Sequence, residues 1–120
     1  MPLHEEVLGL LDDLYAKAAD VFDSPYLHGG CDEVAWGGLE HSRKLLSMRS
    51  PQQVWGEYLN AMNDLARRHG REFIVWGDHV LRDGAGILEH LDRSIIVHDG
   101  EYASLEAADC GRIRAMLTAP

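Results

Sequence analysis

Three short apolar runs, each ending in polar residues and separated by helical patterns, most constrain the fold of this 120-residue chain. They lie at residues 26–31, 73–76 and 94–97. Strands that are apolar throughout are buried on both faces, and their alternation with helices indicates parallel pairing. The sequence therefore predicts one α/β domain in which a parallel sheet is covered by helices.

The helices are predicted from apolar periodicity and from signals at their ends. Residues 3–22 place apolar side chains at three- and four-residue steps, as in an amphipathic helix. Ser50 can cap a second helix that begins at Pro51 and ends before Gly70. Weaker patterns predict two short helices and a fourth strand, at 87–91, 104–108 and 113–117.

The composition of the chain bears on which classes of binding partner to expect. The chain has 20 acidic residues against 11 Lys and Arg, a net charge of -9, and no basic stripe with interleaved aromatics. Nucleic acid is therefore not expected as a partner. The N-terminal residues lack the pattern of a secretory signal, and no apolar run has the length of a membrane span. We expect a cytoplasmic protein that does not bind membranes, with Cys31 and Cys110 reduced.

Polar clusters lie at the C-terminal ends of the three predicted strands, at residues 28–33, 76–79 and 98–102. Parallel neighbours bring their C-terminal ends to one edge of the sheet, where α/β proteins bind ligands. Carboxylates accept hydrogen bonds from sugar hydroxyls, an indole face stacks on a pyranose ring, and a carboxylic acid can protonate a glycosidic oxygen. The edge is thus predicted to bind a carbohydrate through Asp32, Glu33, Trp76, Asp78 and Asp99.

Two simpler interpretations compete at the first cluster. It can be an ordinary glycine-rich turn followed by acidic residues at a helix start. Alternatively, His28 and Cys31 could bind zinc, because imidazole and thiolate are zinc ligands. The other histidines show no paired zinc spacing, so we predict no metal and no cofactor, and we interpret Cys31 as a small residue filling a tight strand end.

Residues 26–34, continuing to 36–38, resemble the His-x-Gly-Gly-Asp-Glu signature of glycoside hydrolase family 20, the β-N-acetylhexosaminidases. Cys31 stands where most members have the second glycine, and a Gly-Cys-Asp-Glu version resembles the intracellular hexosaminidase D branch. Residues 75–78 and 96–102 resemble the next two strands of the family. The resemblance implies a (β/α)8 barrel and cleavage of terminal N-acetylhexosamine.

The resemblance implies a role for each member of the acidic pair. Glu33 would be the general acid and later the general base. Asp32 would hold the acetamido N–H of the substrate and stabilise the positive charge that develops there. The nucleophile would be the acetamido oxygen of the substrate itself, which forms an oxazolinium. Adjacent strand residues point to opposite faces, so both carboxylates serve one site only beyond the strand end, and burial beside Asp32 would help Glu33 to keep its proton.

The same resemblance implies roles for further residues and shows where this sequence departs from the family pattern. His28 would lie behind the acidic pair, Trp76 would form part of the wall around the acetamido group, and Asp99 would bind sugar hydroxyls. Val97 stands where classical members have a tyrosine that binds the acetamido group, and His98 or Tyr102 could replace it. Gly29 replaces an aliphatic residue, which is expected to loosen the strand.

Length sets the remaining expectation. A complete barrel takes roughly 250 residues, whereas residues 1–120 contain material for about four strands. We therefore expect an incomplete catalytic barrel whose open sheet edges invite self-association. Two functions stay open at this point: an N-acetylhexosaminidase, and a catalytically silent fragment that binds sugars or acts as an interaction module.

Overall fold

A computed structural model of the protein describes residues 4–33, 40–78, 80 and 85–98. In chain order its helices and strands are α1 (Glu5–Val21), β1 (Tyr26–His28), α2 (Glu40–Leu46), α3 (Pro51–Arg68), β2 (Glu72–Trp76) and β3 (Ile96–His98). A 3-10 turn at Ala85–Ile87 precedes β3. None of the helices in these ranges is long and apolar enough to cross a membrane.

The three strands form one parallel sheet in the order β1-β2-β3. Leu27 is aligned with Phe73 across the first pair, and Trp76 is aligned with His98 across the second. The prediction of a parallel α/β sheet is therefore confirmed. The helix and strand predicted at 104–108 and 113–117 lie outside the described residues.

The two faces of the sheet differ. Phe73 and Val75 are fully buried, in one core cluster with Tyr15 of α1 and with Trp55 and Leu59 of α3. Because side chains alternate along a strand, residues 72, 74 and 76 point to the opposite face, and they are exposed or only half-buried. The helices therefore cover the first face, and Trp76 lies on the second.

Helix α1 packs through a stripe that only partly matches the one that the sequence suggested. Leu10 and Leu14 belong to the predicted apolar face, but they are 60% and 50% exposed. The stripe that contacts the core is Leu8, Leu11 and Tyr15, of which only Leu11 belonged to the predicted face. These three residues follow the three- and four-residue steps of one helix face. Apolar residues lie on two sides of α1, so periodicity alone could not select the buried side.

Local hydrogen bonds explain why two elements differ from the predicted bounds. The third strand begins at Ile96 rather than at residue 94, because the Asp92 carboxylate accepts a hydrogen bond from the Ser94 amide at 2.8 Å and so forms a turn. In place of the helix predicted at 87–91, the chain forms the 3-10 turn and then a second turn. In the second turn the His90 amide donates a hydrogen bond to the Ile87 carbonyl. Helix α2 was not predicted, since two turns are too short to show a period.

The predicted start and end of helix α3 are confirmed. The Ser50 hydroxyl accepts a hydrogen bond from the Gln53 amide at 3.1 Å, and Pro51 is the first helical residue. Gly70 follows the helix with φ of +70°. Just beyond it, the Arg71 guanidinium donates to the Ala19 carbonyl at 2.7 Å, which satisfies the end of α1, a helix without a basic residue in its last turn.

Asn63 connects α3 to the turn that leads into β3. It is 1% exposed, and its Nδ2 donates to the Ser94 hydroxyl at 3.0 Å. We expect Asn63→Ala to lower the free energy of unfolding by about 2 kcal/mol, because a buried hydrogen bond is lost and a cavity is left. Chemical denaturation tests this, with Asp64→Asn on the exposed side of the same helix as the control. Equal stabilities of the two variants would contradict the expectation.

Candidate active site

The chain turns sharply after β1 but stays hydrogen-bonded to β2. The Gly29 amide donates to the Ile74 carbonyl at 2.8 Å, and the Trp76 amide donates to the Gly30 carbonyl at 2.9 Å. Gly30, Cys31 and Glu33 have φ values of +72°, +69° and +50°. Non-glycine residues in this region are strained, and such strain is concentrated at functional sites. We call residues 29–33 the acidic turn.

Gly29 is required at the start of the acidic turn by packing. A Cβ atom at this position would lie 2.4 Å from Cε2 of Phe73 and 3.2 Å from the Tyr15 hydroxyl. Phe73 is fully buried, so its ring has little room to move. The sequence suggested only that Gly29 loosens the strand, whereas the structure shows that the missing side chain leaves space for the Phe73 ring.

Cys31 anchors the acidic turn in the core. Its Sγ lies 3.8 Å from the Met62 sulfur and 3.5 Å from the Gly29 carbonyl oxygen. Burial, with smaller effects of the Asp32 and Asp78 charges, raises the pKa of the Cys31 thiol to about 12. The thiol therefore stays protonated and fills space, which fits the interpretation of Cys31 as a small residue filling a tight strand end.

Asp32 and Glu33 lie on the outer part of the acidic turn, beyond the end of β1, and both are exposed. The expected burial of Glu33 beside Asp32 is therefore not found among the described residues. The backbone of Glu33 is held from the neighbouring strand, since its amide donates to Oδ2 of Asp78 at 3.0 Å. Asp78 was predicted to bind sugar, and in the structure its carboxylate supports the acidic turn.

Three rings converge beside the acidic turn, one from the end of each strand. The His98 imidazole stacks on the Trp76 indole with 4.4 Å between centroids and 23° between planes. His28 lies 4.8 Å from Trp76 and 5.6 Å from His98, measured between ring centroids. We call these residues the ring cluster. His28 and Trp76 were predicted at this site, and the structure brings them together.

His98 was not among the predicted site residues, except as a substitute for a tyrosine. The signal that could have found it is its alignment with Trp76, which requires the parallel register of β2 and β3. Val97 is aligned with Val75 and so lies on the face that the helices cover. The strand therefore presents His98, and not Val97, on the face of Trp76. Asp99 and Tyr102 lie outside the described residues.

The tautomer of His28 follows from its hydrogen bonds. The Gly30 amide donates to His28 Nδ1 at 3.1 Å, so that nitrogen carries no proton. The proton of the neutral ring is then on Nε2, which lies 3.4 Å from Nδ1 of His98. Burial and the neighbouring His98 lower the pKa of His28, and Asp32 opposes this in part. The neutral ring is thus favoured.

A pH dependence follows from the lowered pKa of His28. Between the lowered pKa and the ordinary value of about 6.5, the unfolded chain binds more protons than the folded one. The contribution of His28 to stability is therefore present above about pH 6.5 and is lost as the pH falls through the lowered pKa. We expect NMR titration of the His28 ring to give a pKa below 6.5, and a higher value would contradict the preference for the neutral ring.

The matching family model is that of glycosyl hydrolase family 20, catalytic domain, and it covers residues 1–107. The chain belongs to this family. Membership makes the protein a glycoside hydrolase of the hexosaminidase type that acts on carbohydrate. No curated protein matches the chain.

The fold of this family 20 protein agrees with its membership. Parallel strands with helices on one face fit part of a (β/α)8 barrel, and such barrels carry their active sites at the C-terminal ends of the strands. The acidic turn and the ring cluster lie at those ends. Within residues 4–33, 40–78, 80 and 85–98, no three His, Cys, Asp or Glu side chains group together as metal ligands.

Proposed function

We propose that this family 20 hydrolase removes terminal N-acetylhexosamine residues from glycoconjugates by substrate-assisted, retaining catalysis. One observation carries the proposal: adjacent carboxylates, Asp32 and Glu33, lie on a strained, exposed turn at the C-terminal end of β1. The resemblance of the 28–33 segment to the family signature supports the assignment of the two roles.

Glu33 is the proton donor and acceptor in this proposal. In the first step its carboxylic acid protonates the glycosidic oxygen while the acetamido oxygen of the substrate attacks the anomeric carbon. The C–O bond to the leaving group breaks, and an oxazolinium forms. In the second step the Glu33 carboxylate takes a proton from water while the water oxygen bonds to the anomeric carbon. The bond between that carbon and the acetamido oxygen breaks, which opens the oxazolinium ring and restores the acid.

Asp32 acts on the acetamido group. Its carboxylate accepts the hydrogen bond of the acetamido N–H and so orients the oxygen toward the anomeric carbon. As the positive charge develops on the oxazolinium, the negative carboxylate stabilises it, which is an interaction stronger in the transition state than in the ground state. The two neighbouring carboxylates thus have different roles.

The surroundings supply the remaining contacts. The Trp76 indole forms part of the wall around the acetamido group, and His28 supports the acidic turn through the Gly30 amide. His98 covers one face of the indole, so only the uncovered part of the ring can contact sugar. Asp78, Asp99 and Tyr102 are proposed as further polar contacts of the sugar.

Three finer assignments belong to the same proposal. The Gly-Cys-Asp-Glu sequence supports the hexosaminidase D-like branch and, with it, a cytoplasmic location. The proposed ligand of the site is an N-acetylhexosaminide, and no binding to nucleic acid or to membranes is proposed. Among the described strands β1 and β3 each pair on one side only, and these edges are proposed sites of self-association.

A matched pair of chromogenic substrates tests the mechanism. The first is nitrophenyl N-acetyl-β-glucosaminide, and the second is nitrophenyl β-glucoside, in which a hydroxyl replaces the acetamido group. Because an intramolecular nucleophile has a high effective concentration, we expect kcat/KM to be at least about 100-fold higher for the first. The galactose counterparts report the sugar preference. Equal cleavage of the glucoside would overturn the substrate-assisted mechanism.

A further inference from the structure

We propose that His98 is a positioning residue of the active site, which holds the acidic turn through His28 and holds the Trp76 indole by stacking. Its relevance to turnover rests on the proposed function, but its structural effects can be measured without turnover. Three features of the structure support this role: a hydrogen-bonded relay, a ring stack, and the position of both on one face of the sheet.

The relay runs from the acidic turn to β3. The Gly30 amide can only donate, so His28 Nδ1 is its acceptor, at 3.1 Å. The neutral His28 ring then carries its proton on Nε2 and donates it toward His98 Nδ1 at 3.4 Å. The Gly30 amide thus fixes the tautomer of His28, and His98 holds the orientation of the His28 ring. It acts on the acidic turn at Gly30, two residues before Asp32.

The stack fixes the second element of the site. The planes of His98 and Trp76 are inclined by only 23°, with 4.4 Å between centroids, a close stacked arrangement. Trp76 follows the fully buried Val75 and is itself only half-buried. Contact with His98 restricts the indole to one orientation, and the orientation of a wall residue determines the shape of the pocket.

The sheet register explains why one residue can serve both purposes. Trp76 and His98 are aligned partners on parallel strands, so their side chains lie on the same face. His28 is aligned with Ile74, which also points to that face. The three rings therefore meet above the strand ends, and His98 is the member that contacts both of the others.

Two substitutions separate the relay from the stack. His98→Phe keeps a planar ring on Trp76 but removes the nitrogen that accepts the hydrogen bond from His28. His98→Asn keeps an acceptor oxygen near the place of Nδ1 but removes the stacked ring. The matched control is Ile96→Val, which lies two residues away on the same face of β3 and takes no part in the site.

The readouts are NMR signals of individual residues, which a general loss of stability would not change selectively. In His98→Phe we expect exchange of the Gly30 amide to become about fivefold faster than in the control, because its acceptor ring is no longer held. The pKa of His28 rises, because His98 no longer lowers it, whereas the effects of burial and of Asp32 remain. In His98→Asn the Gly30 amide stays protected, and the Trp76 indole N–H resonance shifts instead.

Turnover of the N-acetylglucosaminide completes the test. We expect kcat/KM to fall about tenfold in His98→Ala and about threefold in each of the two separating variants. Losses of this size correspond to the free energy that a stacking contact or a hydrogen bond of this kind contributes. The proposal is overturned if the NMR signals of both separating variants match the control, or if all variants turn over like the wild type. If the wild type itself cleaves no substrate, the proposed function fails, and the NMR comparison still decides whether His98 holds the turn and the indole.

Discussion

Glu33→Gln is expected to lower kcat by about two to four orders of magnitude, the range that general acid–base catalysis contributes. The amide keeps the size and shape of the side chain but can neither give a proton to the glycosidic oxygen nor take one from water. KM should change little, because the assigned role of Glu33 is proton transfer and not binding of the substrate. Steady-state kinetics with the nitrophenyl N-acetylglucosaminide measure both parameters.

The matched control for this substitution is Glu72→Gln. Glu72 is an exposed acid at the opposite end of the neighbouring strand β2, away from the acidic turn. It tests whether removal of one negative charge from a protein of net charge -9 has an effect of its own. The assignment of Glu33 is contradicted if both variants retain the activity of the wild type, or if both lose it equally.

The second large effect is expected from Gly29→Ala. The added methyl group would lie 2.4 Å from Phe73 Cε2, far inside van der Waals contact, and the ring is fully buried. Overpacking of this kind typically costs about 1 to 3 kcal/mol and occasionally more. Since small domains are stable by roughly 5 to 15 kcal/mol, we expect a large fall in Tm, measured by thermal denaturation.

Two further variants make the Gly29 prediction specific. Gly9→Ala adds the same methyl group where nothing lies within 4 Å, so this substitution in α1 should leave stability unchanged or raise it by up to about 1 kcal/mol. Phe73→Leu combined with Gly29→Ala should lose less stability than the sum of the single changes, because the clash is removed. Strict additivity would show that the methyl group does not meet Phe73.

Local patterns predicted much of this fold. The Ser50 and Pro51 start of α3, the apolar strand at 73–76 and the parallel pairing all followed from short-range signals, and the structure confirms them. The family likewise followed from short motifs, chiefly the segment at residues 26–34. These features depend on residues close together in sequence, which is why a single sequence contains them.

The remaining features depend on contacts between distant residues. The need for glycine at position 29 comes from the Phe73 ring, and the importance of His98 comes from its alignment with Trp76 across two strands. The buried side of α1 is decided by packing of Leu8 and Tyr15 against the core, and periodicity did not predict either residue. Asp78 was assigned to sugar, and only the structure shows its carboxylate accepting the Glu33 amide.

The product anomer tests the central claim most directly: that Asp32 and Glu33 work with the acetamido group of the substrate as the nucleophile. Proton NMR of a freshly started reaction on the β-linked N-acetylglucosaminide shows which anomer of the sugar forms before mutarotation. Two successive displacements at the anomeric carbon retain its configuration, so the account predicts that the β-anomer appears first. Initial release of the α-anomer would require a single displacement by water and would contradict it.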